Sequence, residues 1–129
     1  TCALPILLFF FVPLSRMGEA VAEYLPGNWG FMSCYHTDAV IQYARAAVAS
    51  DVTSQAQRNR ILQEEFVNLL GLCNDIDAPE SIIYRHASDT QAPAPMDYEM
   101  LALLYHPSIL PGMTAQEARE ALSRKISAP

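Results

Sequence analysis

The chain lacks several features that would assign a function quickly. It has 14 acidic residues against eight basic ones, a net charge of −6 with histidines neutral. The few basic residues are scattered, so no basic stripe exists to follow a phosphate backbone or to dock on anionic lipid. Nucleic acid is therefore excluded as a partner. No apolar run approaches the ~20 residues of a membrane-spanning helix. The longest is "ALPILLFFFV", Ala3 to Val12, about half that length and without the basic leader of a signal peptide. Three cysteines occur, Cys2, Cys34 and Cys73, with no CxxC pair, which argues against a zinc knuckle or a thioredoxin-like motif. They permit one disulfide in three pairings, or three reduced thiols. The 51% apolar content over 129 residues fits one domain, residues 1–129, with a packed core. The chain starts at Thr1 without a methionine, which leads us to expect a trimmed product from which an export signal has been removed.

The phenylalanine-rich run reads as a buried strand, favoured by its β-preferring residues. Ser15 is placed to cap a helix through about Tyr24, with Met17, Val21 and Tyr24 at helical spacing. "LPGNWG", Leu25 to Gly30, is a turn, and Phe31 to His36 a short strand. "AVIQYARAAVAS", Ala39 to Ser50, alternates like a strand but is alanine-rich like a helix, and its second half is assigned to a strand. A long helix follows over about 55–72, capped by Thr53 or Ser54. At ~100° per residue, Leu62, Phe66, Leu69, Leu70 and Cys73 form its apolar face. Glu64, Asn68 and Gly71 fall opposite, with Glu65 on the flank. A polar loop occupies 74–95. Further helices are expected over about 97–106 and 115–125, the last opened by a capping box of Thr114 and Glu117.

The chemical question lies in "ILQEEFVNLLGLCND", Ile61 to Asp75. Metzincin-type zinc proteases carry H-E-x-x-H-x-x-G-x-x-H. Two histidines on one helical face and a third after a glycine turn hold zinc, and the glutamate is general base. In that register the chain has Glu64, Glu65, Asn68, Gly71 and Asn74. The base and the glycine are kept, and all three imidazoles are replaced. One carboxylate and two amides make a poor zinc set, of hard oxygens better suited to calcium or magnesium. His36, His86 and His106 show no ligand spacing, and Cys34 with His36 lacks a third, orienting group. "NDIDAPE", Asn74 to Glu80, has the oxygens of a calcium loop without EF-hand spacing. Met113 in "LPGMT" and Met96 are the two candidates for the methionine turn beneath a metzincin zinc, and either also reads as core filler.

"EEFVNLLGLCNDID", "SIIY" and "DYEMLALLYHPSILPGMTAQEA" together resemble a bacterial zincin-like, metzincin-related family of unknown function. Its members carry a Glu-Glu helix, an "LGL-ND" turn and a "D-x-x-M-L-x-L-L-Y-x-P-x-x-x-P-G-M" ending. The likeness covers about residues 58–122. Asn68 stands where a glutamine is common, and Cys73 has no place in the pattern. Members are longer at the N-terminus, which implies a domain lacking part of its N-terminal portion. The resemblance implies an α+β, zincin-like fold, a small sheet packed against the 55–72 helix with two C-terminal helices.

It further implies a catalytically inactive module of the periplasm or cell envelope. Glu64, Glu65, Asn68, Gly71 and Asn74 would be a vestigial site without metal or cofactor. The expected role is protein binding, or an accessory subunit of a larger envelope or membrane complex, with a sheet edge available for strand addition. The rival is a zinc-dependent peptidase with unusual ligands.

Overall fold

The computed structural model describes residues 5–126. It is a small mixed α/β fold with a three-stranded sheet and four α-helices among the described residues. Strand β1 is Ile6–Val12, β2 Gly30–Thr37 and β3 Val40–Ala49, in the order β1-β3-β2. β1 runs parallel to β3, from Ile6 beside Tyr43 to Val12 beside Ala49. β2 pairs antiparallel on the other side of β3, from Gly30 beside Val48 to Thr37 beside Val40. Both β1 and β2 are therefore sheet edges.

Alanine dominates the central strand because both its faces are covered. Ala44 and Ala46 pack with Leu69, and with Phe9, Met32, Cys34 and Ile41 around them. Ala47 and Ala49 pack on the opposite side with Met17, Ala20 and Val21. All four alanines are fully buried, and small side chains let helices approach the sheet from both sides. The β3 assignment is thus extended at its front, since Val40 to Tyr43 is strand as well. Its start is hidden in sequence because the hairpin turns on Asp38 and Ala39, both at positive φ (51° and 60°). Two-residue hairpins require that twist, but they advertise it with Asn-Gly or Asp-Gly.

The expected helix from Ser15 to Tyr24 is corrected to a 3-10 turn, Leu14–Arg16, and a short α1, Met17–Ala20. Ser15 makes no cap. The Leu14 N–H is held instead by Asp51 Oδ1 at 2.9 Å. The helix stops because Val21 turns extended, to bury itself completely under the sheet, and Glu23 goes left-handed.

Helix α2, Gln55–Leu69, is capped by Ser54, whose side chain accepts the Gln57 N–H at 3.3 Å. Helix α3 is Pro95–Leu104 and α4 Ala115–Ile126. Thr114 and Glu117 form the expected capping box: Glu117 Oε2 accepts the Thr114 N–H at 2.7 Å, and Thr114 Oγ1 accepts the Glu117 N–H at 3.3 Å.

The 74–95 loop is less irregular than its composition suggests. Ile82 and Ile83 are buried against Val67 of α2, with Leu72, Ile76 and Met100 around them. Asp97, fully buried, holds this loop to α3. It accepts from Ser81 Oγ (2.5 Å), the Ile82 N–H (3.0 Å) and the Ala94 N–H (2.7 Å). No helix among the described residues is long and apolar enough to cross a membrane.

Candidate functional site

A cleft of about 270 Å³ opens where the first residues of β2 meet α2. Asn28, Gly30, Phe31 and Met32 form its strand side. Glu64, Glu65 and Asn68 come from the helix, and Cys73 and Asp75 from the segment after it.

The helix is rotated relative to the face expected from periodicity. Ile61, Glu65, Val67, Asn68 and Leu69 are its buried residues, while Phe66 is 53% exposed. Asn68 and Glu65, expected on or beside the side opposite the apolar face, are turned inward. The reason lies in β2. Gly30 sits opposite Ile61 and Glu65, and a Cβ there would stand only 2.5 Å from Glu65 Oε1 and would collide with Ile61 Cγ2. The missing side chain makes room for the glutamate, so the sheet accepts a row of Ile61, Glu65 and Leu69 rather than the leucine–phenylalanine stripe. The opposite wall of α2 is taken by Val67 against Ile82 and Ile83.

Burial governs the electrostatics. Glu65 is 6% exposed, and desolvation pushes its carboxyl from 4.5 up to about 8, with Glu64 and Asp75 adding repulsion. Its proximity to the Asn68 amide works weakly the other way. Glu64 is also raised by desolvation, opposed by its ion pair with Arg60 at 2.8 Å. A carboxylic acid that keeps its proton near neutrality can donate a hydrogen bond or transfer a proton.

Of the residues singled out in sequence, Glu64, Glu65 and Asn68 meet in the cleft, and Asn74 and Gly71 do not line it. Gly71 instead makes the turn that ends the helix region, at φ +112°. It also lets Leu104 close in, since a Cβ there would be 3.0 Å from Leu104 Cδ2. Beside it, the Tyr105 hydroxyl donates to the Leu70 carbonyl at 2.7 Å, so "LGL" and "LLYHP" dock on each other.

None of His36, His86 and His106 lines the cleft, nor does Met96 or Met113. His86 packs edge-on to Tyr84, His106 Nδ1 accepts the Ser108 N–H, and Met113 sulfur accepts the Leu110 N–H. Among the described residues, no three His, Cys, Asp or Glu side chains are gathered to hold a metal ion. The residues in the zinc register do not fit that metal. Glu64 is engaged by Arg60, Asn68 offers an amide, and Asn74 is outside the cleft.

Sequence reasoning missed Asp75, Cys73, Asn28 and Gly30 as cleft residues. It also missed that Cys73 neighbours Cys34: desolvation, and after it the Cys34 thiol, raise Cys73 to about 11, while the Cys73 thiol donates to the Asn68 carbonyl at 3.7 Å. Both thiols are free. Cys2 lies outside the described residues.

The comparisons with known proteins give one positive result. Residues 16–124 match the family described as "Protein of unknown function (DUF2927)", and the chain belongs to that family. No curated protein matches, and no solved structure matches.

Proposed function

We propose that this member of the DUF2927 family is a non-catalytic, zincin-like module that binds an extended segment of another protein along β2. The observation that carries this reading is the relation between β2 and the cleft. β2 is an edge strand, antiparallel to its one neighbour, and its first residues form the wall facing Glu64, Glu65 and Asn68. An incoming strand would find main-chain hydrogen bonds along the edge and a polar slot beside it for a side chain. In zincin-type peptidases the helix with the metal motif lies beside such an edge. The acid in the base position is present here and the ligand set is not.

An accessory role in a larger assembly of the periplasm or cell envelope goes with this reading. It is supported by apolar side chains left in solvent, among them Ile6 and Phe11 (each 60% exposed), Tyr105 and Leu110.

The test is selection from a displayed library of random peptides, followed by hydrogen exchange on the complex. Bound peptides should slow amide exchange within 30–37. Peptides that bind and leave β2 exchange unchanged would overturn strand addition. The rival peptidase predicts stoichiometric zinc by elemental analysis, and peptide cleavage that Glu65→Gln abolishes. Either result replaces the non-catalytic reading.

A further inference from the structure

The cleft holds more acceptors than donors. Asn68 is 9% exposed, and its Oδ1 is buried with no hydrogen-bond partner among the described residues. A buried amide oxygen left bare is costly, and native structures rarely leave one without a purpose. The same cleft carries three carboxyl groups, Glu64, Glu65 and Asp75. Only Glu64 among them has an ion-pair partner among the described residues, Arg60. The remaining walls, Asn28, Gly30, Phe31, Met32 and Cys73, bring no positive charge. An orphaned acceptor inside an acidic slot is complementary to a cation rich in N–H donors.

We propose that the cleft seats the guanidinium or ammonium group of an arginine or lysine on the protein segment laid along β2. This rests on the strand-addition reading and names the side chain that the segment must carry. A bare metal ion is the poorer occupant. Among the described residues no three His, Cys, Asp or Glu side chains are placed together for an ion. A guanidinium is planar, with five N–H donors that reach separated acceptors at once. Met32, on the face of β2 turned toward α2, gives its aliphatic stem an apolar contact. Desolvation is the main reason Glu65 keeps its proton, and a cation arriving here offsets both that burial and the added repulsion from Glu64 and Asp75. Binding therefore releases a proton and strengthens as the pH rises toward and past about 8.

The experiment uses the full chain, isotope-labelled, with N-acetyl-arginine amide and its neutral isostere N-acetyl-citrulline amide, followed by backbone amide shifts. The arginine probe should shift residues 64, 65, 68 and 75 and bind at least ~10-fold more tightly than the citrulline probe, the difference expected of a charge-assisted contact. Asp75→Asn, in an exposed loop where folding is not at stake, should weaken the arginine probe several-fold and leave the citrulline probe unchanged. Equal binding of the two probes, or shifts confined to other surfaces, would overturn the assignment. So would calcium chloride saturating the same residues and excluding the arginine probe. Library peptides that protect 30–37 yet lack any basic residue would sink this inference and leave strand addition standing. An arginine probe that binds while no peptide ever protects 30–37 would remove strand addition, and with it the docked segment as the source of the cation.

Discussion

Replacing Asp97 by alanine should cost this protein more stability than any change in the cleft. Its carboxylate is fully buried and accepts three hydrogen bonds, from Ser81 Oγ, Ile82 N–H and Ala94 N–H. Alanine leaves all three donors without an acceptor. A stranded buried donor costs about 1–3 kcal/mol. Ser81 and Ile82 are completely buried, whereas Ala94 is only partly so and water can reach it. The expected sum is about 4 kcal/mol, a large part of the stability of a typical domain. At this chain length that corresponds to a fall in Tm of roughly 15 °C. Urea unfolding followed by circular dichroism reads the change in midpoint. Asp97→Asn should fall between, because one oxygen becomes an NH₂ facing a donor. Ser81→Ala alone should cost less, and the Ser81→Ala/Asp97→Ala pair should be clearly non-additive. A loss below about 1 kcal/mol for Asp97→Ala, or strict additivity, would refute the view that this acid ties the loop to α3.

Gly30→Ala should destabilise by about 1–3 kcal/mol, since its Cβ would press on Ile61 and Glu65; a midpoint equal to wild type would show that the strand stands further from the helix. Glu65 holds its proton up to about 8 when folded but near 4.5 when unfolded, so the folded state binds the extra proton between those values. Stability should therefore fall as pH rises through that window, and Glu65→Gln should flatten the urea midpoint against pH. Ala39→Gly relieves a left-handed alanine in the hairpin and should raise stability by roughly 1 kcal/mol in the same assay, with no gain refuting the turn geometry. Oxidised glutathione should close Cys34 to Cys73: each thiol gives up a proton and an electron as the S–S bond forms and glutathione is reduced. Mass mapping of the disulfide checks this, and recovery of only glutathione adducts would separate the two sulfurs.

Elements with strong local signals were legible in the sequence. Thr53 or Ser54, of which Ser54 is the cap, and Thr114 with Glu117 marked the starts of α2 and α4, because capping is decided within one turn. The stretch Phe31 to His36, following the "LPGNWG" turn, reads as a short strand and is the body of β2. Features set by partners distant in sequence were not legible. The rotation of α2 depends on a glycine about 35 residues earlier, so periodicity alone pointed Phe66 inward and left Glu65 on the flank. In sequence Asp97 only marks the start of the 97–106 helix, because Ser81 and Ile82 reach it only after the loop has folded back. The zinc-like spacing brought out Glu64, Glu65 and Asn68, which do meet. It could not exclude Asn74 from the cleft or bring in Asp75, since the turn at Gly71 decides which of these neighbours faces the strand.

Because Gly30 lets the strand rest on the Glu65 carboxyl, the spacing between strand and helix and the occupancy of one proton become a single variable. Drawing the edge outward admits water and the acid lets its proton go; pressing it home dries the acid, which takes the proton back and becomes neutral. A tug on β2 would thus be translated into a change of local acidity, and the protonation of one side chain would gauge the tension on the sheet's margin.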